Sequence, residues 1–222
     1  MNYFAHGRHF FDAPYTLAGT AVPDWLSVVD RRVRARAKRA ARWLADSDPV
    51  LAGVARGVVE HHRDDAWFHQ TRAFVELSLQ FTLAMRQLLP EDNGFRPGFL
   101  GHILVELLLD AALIEEDISR LDMYYERLET VDPVVIAEAV HRVTTGRAAQ
   151  LSRMLSLFRH DRFLYDYLDD GKLLERLNRV MRRVNLPQLP PSMLAFLAEA
   201  RQPVRERSRE LLAGELVSEC KE

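Results

Sequence analysis

The chain is poor in several things that define protein classes, and each scarcity excludes something. It has one cysteine in 222 residues, Cys220, so no internal disulfide can form and a reducing, cytoplasmic setting is expected. The opening Met-Asn-Tyr-Phe-Ala-His lacks a basic region followed by an apolar stretch, so it does not read as a secretory signal. No uninterrupted apolar run reaches membrane-span length, because the most apolar stretch, Phe99 to Ile114, carries its own polar stripe. A formal net charge of -2 gives no global field for a polyanion, and the dispersed aromatics (9%) form no base-stacking platform. Nucleic acid is therefore not an expected partner. Strand-like alternation is scarce and helical periodicity runs almost throughout, which predicts an all-α fold, a single multi-helix domain over residues 1–222.

The predicted elements follow from punctuation. A short N-terminal helix precedes an irregular segment from Asp12 to Pro23, and a helix is expected from about Trp25 to Ala45. Asp48-Pro49 opens the next helix, with proline in the first turn where its missing N–H costs nothing. That stretch, to about Leu89, is too long for one ordinary helix and should bend near Asp65 to Gln70. Pro90 to Gly98 reads as a loop before the Phe99 helix. Asp132-Pro133, Gly146, Asp169-Asp-Gly171 and the proline-rich Leu186 to Ser192 mark the later boundaries.

What the chain does have is histidine and carboxylate at helical spacing. His102, Glu106 and Asp110 are the only ionisable residues between Phe99 and Ile114, and steps of four stack them on one face of a largely buried helix. A buried carboxylate beside a buried imidazole is costly unless paired, and a metal ion is one of few adequate partners. His61, Asp65 and His69 repeat the spacing upstream. Each pair of residues four apart presents two ligand atoms on one side of a helix. Neighbouring His62 and Asp64 point about 100° away and read as supporting or solvated residues. His141 and His160 lie in charged surroundings, and the His160-Asp161 dipeptide stands without a helical histidine pattern. No nucleophilic serine or cysteine element is signalled. Arg31 to Arg42 holds seven cations and no acid, which reads first as a solvated helix face and otherwise as a landing strip for an acidic or phosphate-bearing partner.

Four short blocks carry a resemblance across most of the chain. Ala18-Gly-Thr-Ala-Val-Pro-Asp24-Trp25, the opening Met-Asn-Tyr-Phe-Ala-His6, Gly57 through His61, Arg63 and Asp65, and Gly101-His102-Ile-Leu resemble motifs of the acyl carrier protein phosphodiesterase family. The first block equally resembles an element of the zinc-dependent phospholipase C and single-strand nuclease superfamily. Gly101 stands where the phosphodiesterases have Asp, Val59 replaces a frequent histidine, and His69 replaces an acid. Either resemblance implies an all-helical, metal-dependent phosphoester hydrolase. Its implied ligands are His6, Asp24, His61, Asp65, His69, His102 and Glu106, around zinc, manganese or iron, with two or more ions. Asp24 and Asp65 would act on the nucleophilic water, with Asp24 bridging ions. Carrier-protein prosthetic group, phospholipid and nucleotide are the implied substrate types. The alternative reading is an inactive helical binding protein that keeps the framework and docks an acidic carrier-type partner. The expectation for the site is convergence of His6, Asp24, His61, Asp65, His102 and Glu106 on one buried pocket, with His69 at its edge and Asp110 supporting a ligand.

Overall fold

The computed structural model describes residues 1–89 and 94–214. Cys220 and residues 90–93 of the loop expected over Pro90 to Gly98 lie outside these residues, and the next helix begins inside that expected loop, at Pro97. Among the described residues twelve α-helices are numbered in chain order. They are α1 (Tyr3–Gly7), α2 (Pro14–Val29), α3 (Ala37–Ala40), α4 (Pro49–Phe68), α5 (Arg72–Leu88), α6 (Pro97–Glu116), α7 (Ile118–Glu129), α8 (Pro133–Val143), α9 (Leu151–Asp161), α10 (Asp170–Arg183), α11 (Met193–Glu206) and α12 (Ser208–Leu211). The all-α class holds. Among the described residues the only β pairing is an isolated antiparallel bridge between Ala35 and Thr144.

By its contacts the chain divides into two compact units. The first holds Tyr3–Asp65 and Asp117–Phe163; the second holds Met1–Asn2, Ala66–Glu116 and the chain from Leu164 onward. In the first unit α2 packs against α1, α7, α8 and α9. Its core is aromatic: Trp25, Tyr124 and Phe158 are buried, with Trp25 and Phe158 ring centroids 5.3 Å apart. In the second unit α5 and α6 form the main pair, and α10, α11 and α12 complete the bundle. Arg201 ties that bundle together by donating to Asp170 at 2.7 Å and to the Tyr167 carbonyl at 2.8 Å.

Side-chain caps explain most boundaries. Asp48 accepts from Val50 N, Thr71 from Phe74 N, Asp117 from Ser119 N, Asp132 from Val134 N and Asp169 from Lys172 N. Each side-chain oxygen satisfies a backbone donor that the first helical turn leaves orphaned. The expected bend after Asp65 is a full break at His69–Thr71, where Thr71 restarts the chain as α5.

Two sequence expectations are corrected in the first unit. Residues 12–23 are mostly helical, since α2 starts at Pro14 and runs through Pro23. Proline is well suited to the first turn, and one interior proline removes a single backbone bond without ending a helix that is otherwise packed. The helix expected over Trp25–Ala45 ends instead at Val29. Asp30 turns the chain by accepting from Arg32 N, and the next residues are extended. There Val33 and Ala35 face inward while Arg32, Arg34 and Arg36 face out, a period of two that the helical reading overlooked. The boundary at Asp117, between α6 and α7, was also not anticipated.

In the second unit, α6 is by length and composition long and apolar enough to cross a membrane, but more than half of its apolar window is buried inside the protein, which is consistent with the expected absence of a membrane span. It packs on α5 and α11 and carries His102, Glu106 and the fully buried Asp110, as a core helix of a helical bundle does.

Candidate metal centres

In the first unit the site begins with a helix crossing. A Cβ added to Gly57 of α4 would overlap the Thr16 carbonyl oxygen of α2 and lie 2.5 Å from Thr20 N. Glycine is therefore required for α2 to approach so closely. One turn further along α4 is His61, and the close approach lets its Nδ1 reach the Thr20 carbonyl at 2.8 Å. A carbonyl can only accept, so Nδ1 carries the proton and Nε2 keeps a free lone pair. His6 stacks on His61 with ring centroids 4.1 Å apart and planes 28° apart.

The two imidazoles share Asp65. His6 Nε2 lies 3.3 Å from Asp65 Oδ1 and His61 Nε2 lies 3.5 Å from Asp65 Oδ2. On its other side His6 Nδ1 is 3.1 Å from Asp64 Oδ2. His6 and His61 are 1% and 4% exposed. The electrostatics follow from that burial. Desolvation holds the His61 imidazole well below its ordinary pKa, so it is neutral at physiological pH. For His6 burial also acts downward, but the neighbouring carboxylates of Asp64 and Asp65 outweigh it and raise the value. Burial would raise Asp65, yet its histidine neighbours hold it far below the usual carboxylate range.

In the second unit Gly101 plays the corresponding part at the α5–α6 contact. A Cβ there would stand 2.6 Å from both the Ser78 carbonyl and Thr82 Oγ1 on α5. The position that departs from the phosphodiesterase motif is thus a packing position, with no room for an aspartate side chain. The crossing sets His102 beside His69, which sits in the break after α4, with ring centroids 4.7 Å apart. Phe74 packs against both imidazoles at 4.8 Å.

Both rings address one carboxylate oxygen. Glu106 Oε1 is 2.9 Å from His69 Nε2 and 3.2 Å from His102 Nε2, and the α-ammonium of Met1 donates to it at 3.3 Å. Burial would raise the Glu106 pKa, but the ammonium and the two imidazoles hold it far below the usual carboxylate range. Side-chain exposure runs from 17% at Glu106 through 32% at His69 to 43% at His102.

Six of the seven sequence-predicted ligands therefore fall into two triads, His6–His61–Asp65 and His69–His102–Glu106. In each, one ligand atom per residue lies within 4.8 Å of the others. His69, expected at an edge, is a full member of its triad. Asp24 is half-buried on α2 and belongs to neither triad. Asp110 is fully buried one turn beyond Glu106. Sequence reasoning missed Thr20, which contributes through its backbone, and Phe74, whose ring backs two imidazoles. It left the role of Asp64 open. His160 and Asp161 are solvated, and the seven cations of Arg31 to Arg42 are all exposed.

The donor sets fit a metal. A tetrahedral ion with bonds of about 2.05 Å has ligand–ligand edges of about 3.3 Å. The closest donor pairs span 3.3 and 3.5 Å in one triad and 2.9 and 3.2 Å in the other. Two imidazoles and one carboxylate suit zinc, manganese or iron, and three protein ligands leave a coordination position open, as catalytic rather than structural sites do. A scan against protein-family models and searches of curated proteins and of solved structures find no match for this chain.

Proposed function

We propose that the protein is a metal-dependent phosphoester hydrolase, acting on phosphodiesters, that uses metal-activated water. The observation that carries this reading is the pair of triads, each with two imidazoles and one carboxylate at ligand spacing and each short of a full coordination shell. The four short motifs supply the substrate class. A divalent ion held there would lower the pKa of water toward ~7 and offset charge developing on phosphoryl oxygens.

The chain's own residues divide the remaining work. His6, His61 and Asp65 bind in the first unit, and His69, His102 and Glu106 bind in the second. His61 enters already neutral, because burial holds off its proton. Asp65 is already ionised and presents its two oxygens to different imidazoles, so it is the residue placed to hydrogen-bond an attacking water.

The test is metal analysis of the purified protein followed by hydrolysis of bis-p-nitrophenyl phosphate with added zinc or manganese. Stoichiometric metal with metal-dependent turnover, lost in His61→Ala, supports the reading. A protein that takes up neither metal, or holds metal without hydrolysing any phosphodiester offered, overturns it.

A further inference from the structure

The His6 ring is held between two consecutive residues of α4, and the two do different things. Asp64 Oδ2 meets Nδ1 at 3.1 Å, and Asp65 Oδ1 meets Nε2 at 3.3 Å. Asp65 also faces His61 Nε2 at 3.5 Å, so it is the carboxylate common to both imidazoles. Among the described residues Asp64 pairs with His6 and lies outside the donor triad. Side chains one residue apart on a helix diverge by about 100°, which is how adjacent carboxylates reach opposite edges of one ring. Nε2 of His6 is fully buried and makes no hydrogen bond of adequate geometry. His61 is arranged the same way, with Nδ1 on the Thr20 carbonyl and Nε2 toward Asp65.

From this we infer that Asp64 is a positioning residue: it accepts the Nδ1 proton of His6, fixes the tautomer and ring plane, and leaves Nε2 as the metal donor. Metal-bound histidines characteristically donate their other N–H to a carboxylate or a carbonyl, which orients the ring and raises ligand basicity. The first unit uses one of each, Asp64 for His6 and Thr20 for His61. The inference rests on the metal reading above, and it adds a residue with no direct contact to the ion or substrate.

The test uses the full chain on a His102→Ala background, so that the first-unit triad dominates a zinc titration, with Asp64→Ala and Asp64→Asn compared. Asp64→Ala should weaken zinc binding by about 10- to 100-fold, the usual cost of losing such a partner. Asp64→Asn keeps an acceptor oxygen and should recover most of that loss. A second readout is independent of zinc: at a pH above the raised pKa of His6, where its ring is neutral, the imidazole nitrogen shifts in zinc-free protein should report the Nδ1-protonated tautomer in the parent and Asp64→Asn, and a mixture in Asp64→Ala. Unchanged zinc affinity in Asp64→Ala, or a proton on Nε2 in the parent, overturns the inference while leaving the metal reading intact. Failure of the parent to bind zinc overturns the metal reading and this role with it. If Asp64→Ala does not fold, the parent tautomer and the affinity of Asp64→Asn decide: an Nδ1 proton with near-parental affinity supports the role, and an Nε2 proton ends it.

Discussion

The two triads share one chemistry and differ in how it is held. In the first unit both histidines are buried, stacked on each other, and fixed through Nδ1 by a carboxylate and a backbone carbonyl. In the second unit the histidine side chains are 32% and 43% exposed, tilted against each other and packed against Phe74, and both turn Nε2 to a single oxygen of Glu106. The first is preorganised by hydrogen bonds before any ion arrives. The second is assembled around a carboxylate, with apolar packing behind the rings. Preorganised ligands lose less freedom on binding, so the first triad should bind more tightly and exchange more slowly, and the second should be the more accessible to solvent and substrate.

The comparison breaks most sharply at the helix crossings. Gly57→Ala drives a methyl group into the backbone of α2, where nothing can rotate away. We expect it to cost on the order of 3 kcal/mol or more and to remove metal from the first triad, measured by denaturant unfolding and metal content. Gly101→Ala meets the Ser78 carbonyl and the Thr82 hydroxyl at 2.6 Å and Thr82 N at 3.0 Å, looser than the backbone contacts at Gly57, all within 2.6 Å, so its cost should be smaller. Equal or reversed costs would show that the α2–α4 approach is not the tighter constraint.

Removing a ligand comes next. His61→Ala should lower zinc affinity at the first triad by more than the ~100-fold that an orienting partner commands, leaving one equivalent bound at the second. His102→Ala should show the reverse stoichiometry with a smaller loss of unfolding stability, because its side chain is 43% exposed. Titration calorimetry of the two variants reads both effects.

Proton competition separates the triads more gently. The folded pKa of His6 is raised above 6.5, so below that raised value a proton occupies the imidazole that an ion needs unprotonated. Zinc affinity of the first triad should therefore rise with pH through that raised value, by up to about tenfold per pH unit below it, and level off above. His61 adds no slope there, because its pKa is lowered and it is already neutral. Titrations at several pH values with His102→Ala read the slope, and a flat profile would contradict a protonated His6.

The smallest expected effect is at the break that holds His69. Thr71 caps α5 by accepting from Phe74 N at 3.2 Å, and Phe74 is the ring behind His69 and His102. Thr71→Ala should cost about 1 kcal/mol in unfolding free energy. A modest loosening of the second triad alone should accompany it, seen as weaker zinc binding there.

Much of this was legible in the chain because it is local. Spacings of four residues within one helix bring His61 to Asp65 and His102 to Glu106 without help from the rest of the molecule. Scarce alternation and frequent capping residues are enough for the all-α class and for most helix starts. The basic stretch was misread because its residues have good helix propensity, whereas pairing of Ala35 with Thr144, more than a hundred residues away, favours the extended form. Which partner completes each pair lay beyond the sequence for the same reason. His6 meets Asp64 and Asp65 across nearly sixty positions, and His69 meets Glu106 across 37. A glycine at 57 or 101 looks like a helix weakness until the neighbouring backbone is seen against it. Periodicity encodes which side chains share a face of a helix; only the close approach of helices, set by backbone contact and burial, decides which faces meet and which nitrogen of each histidine is left free.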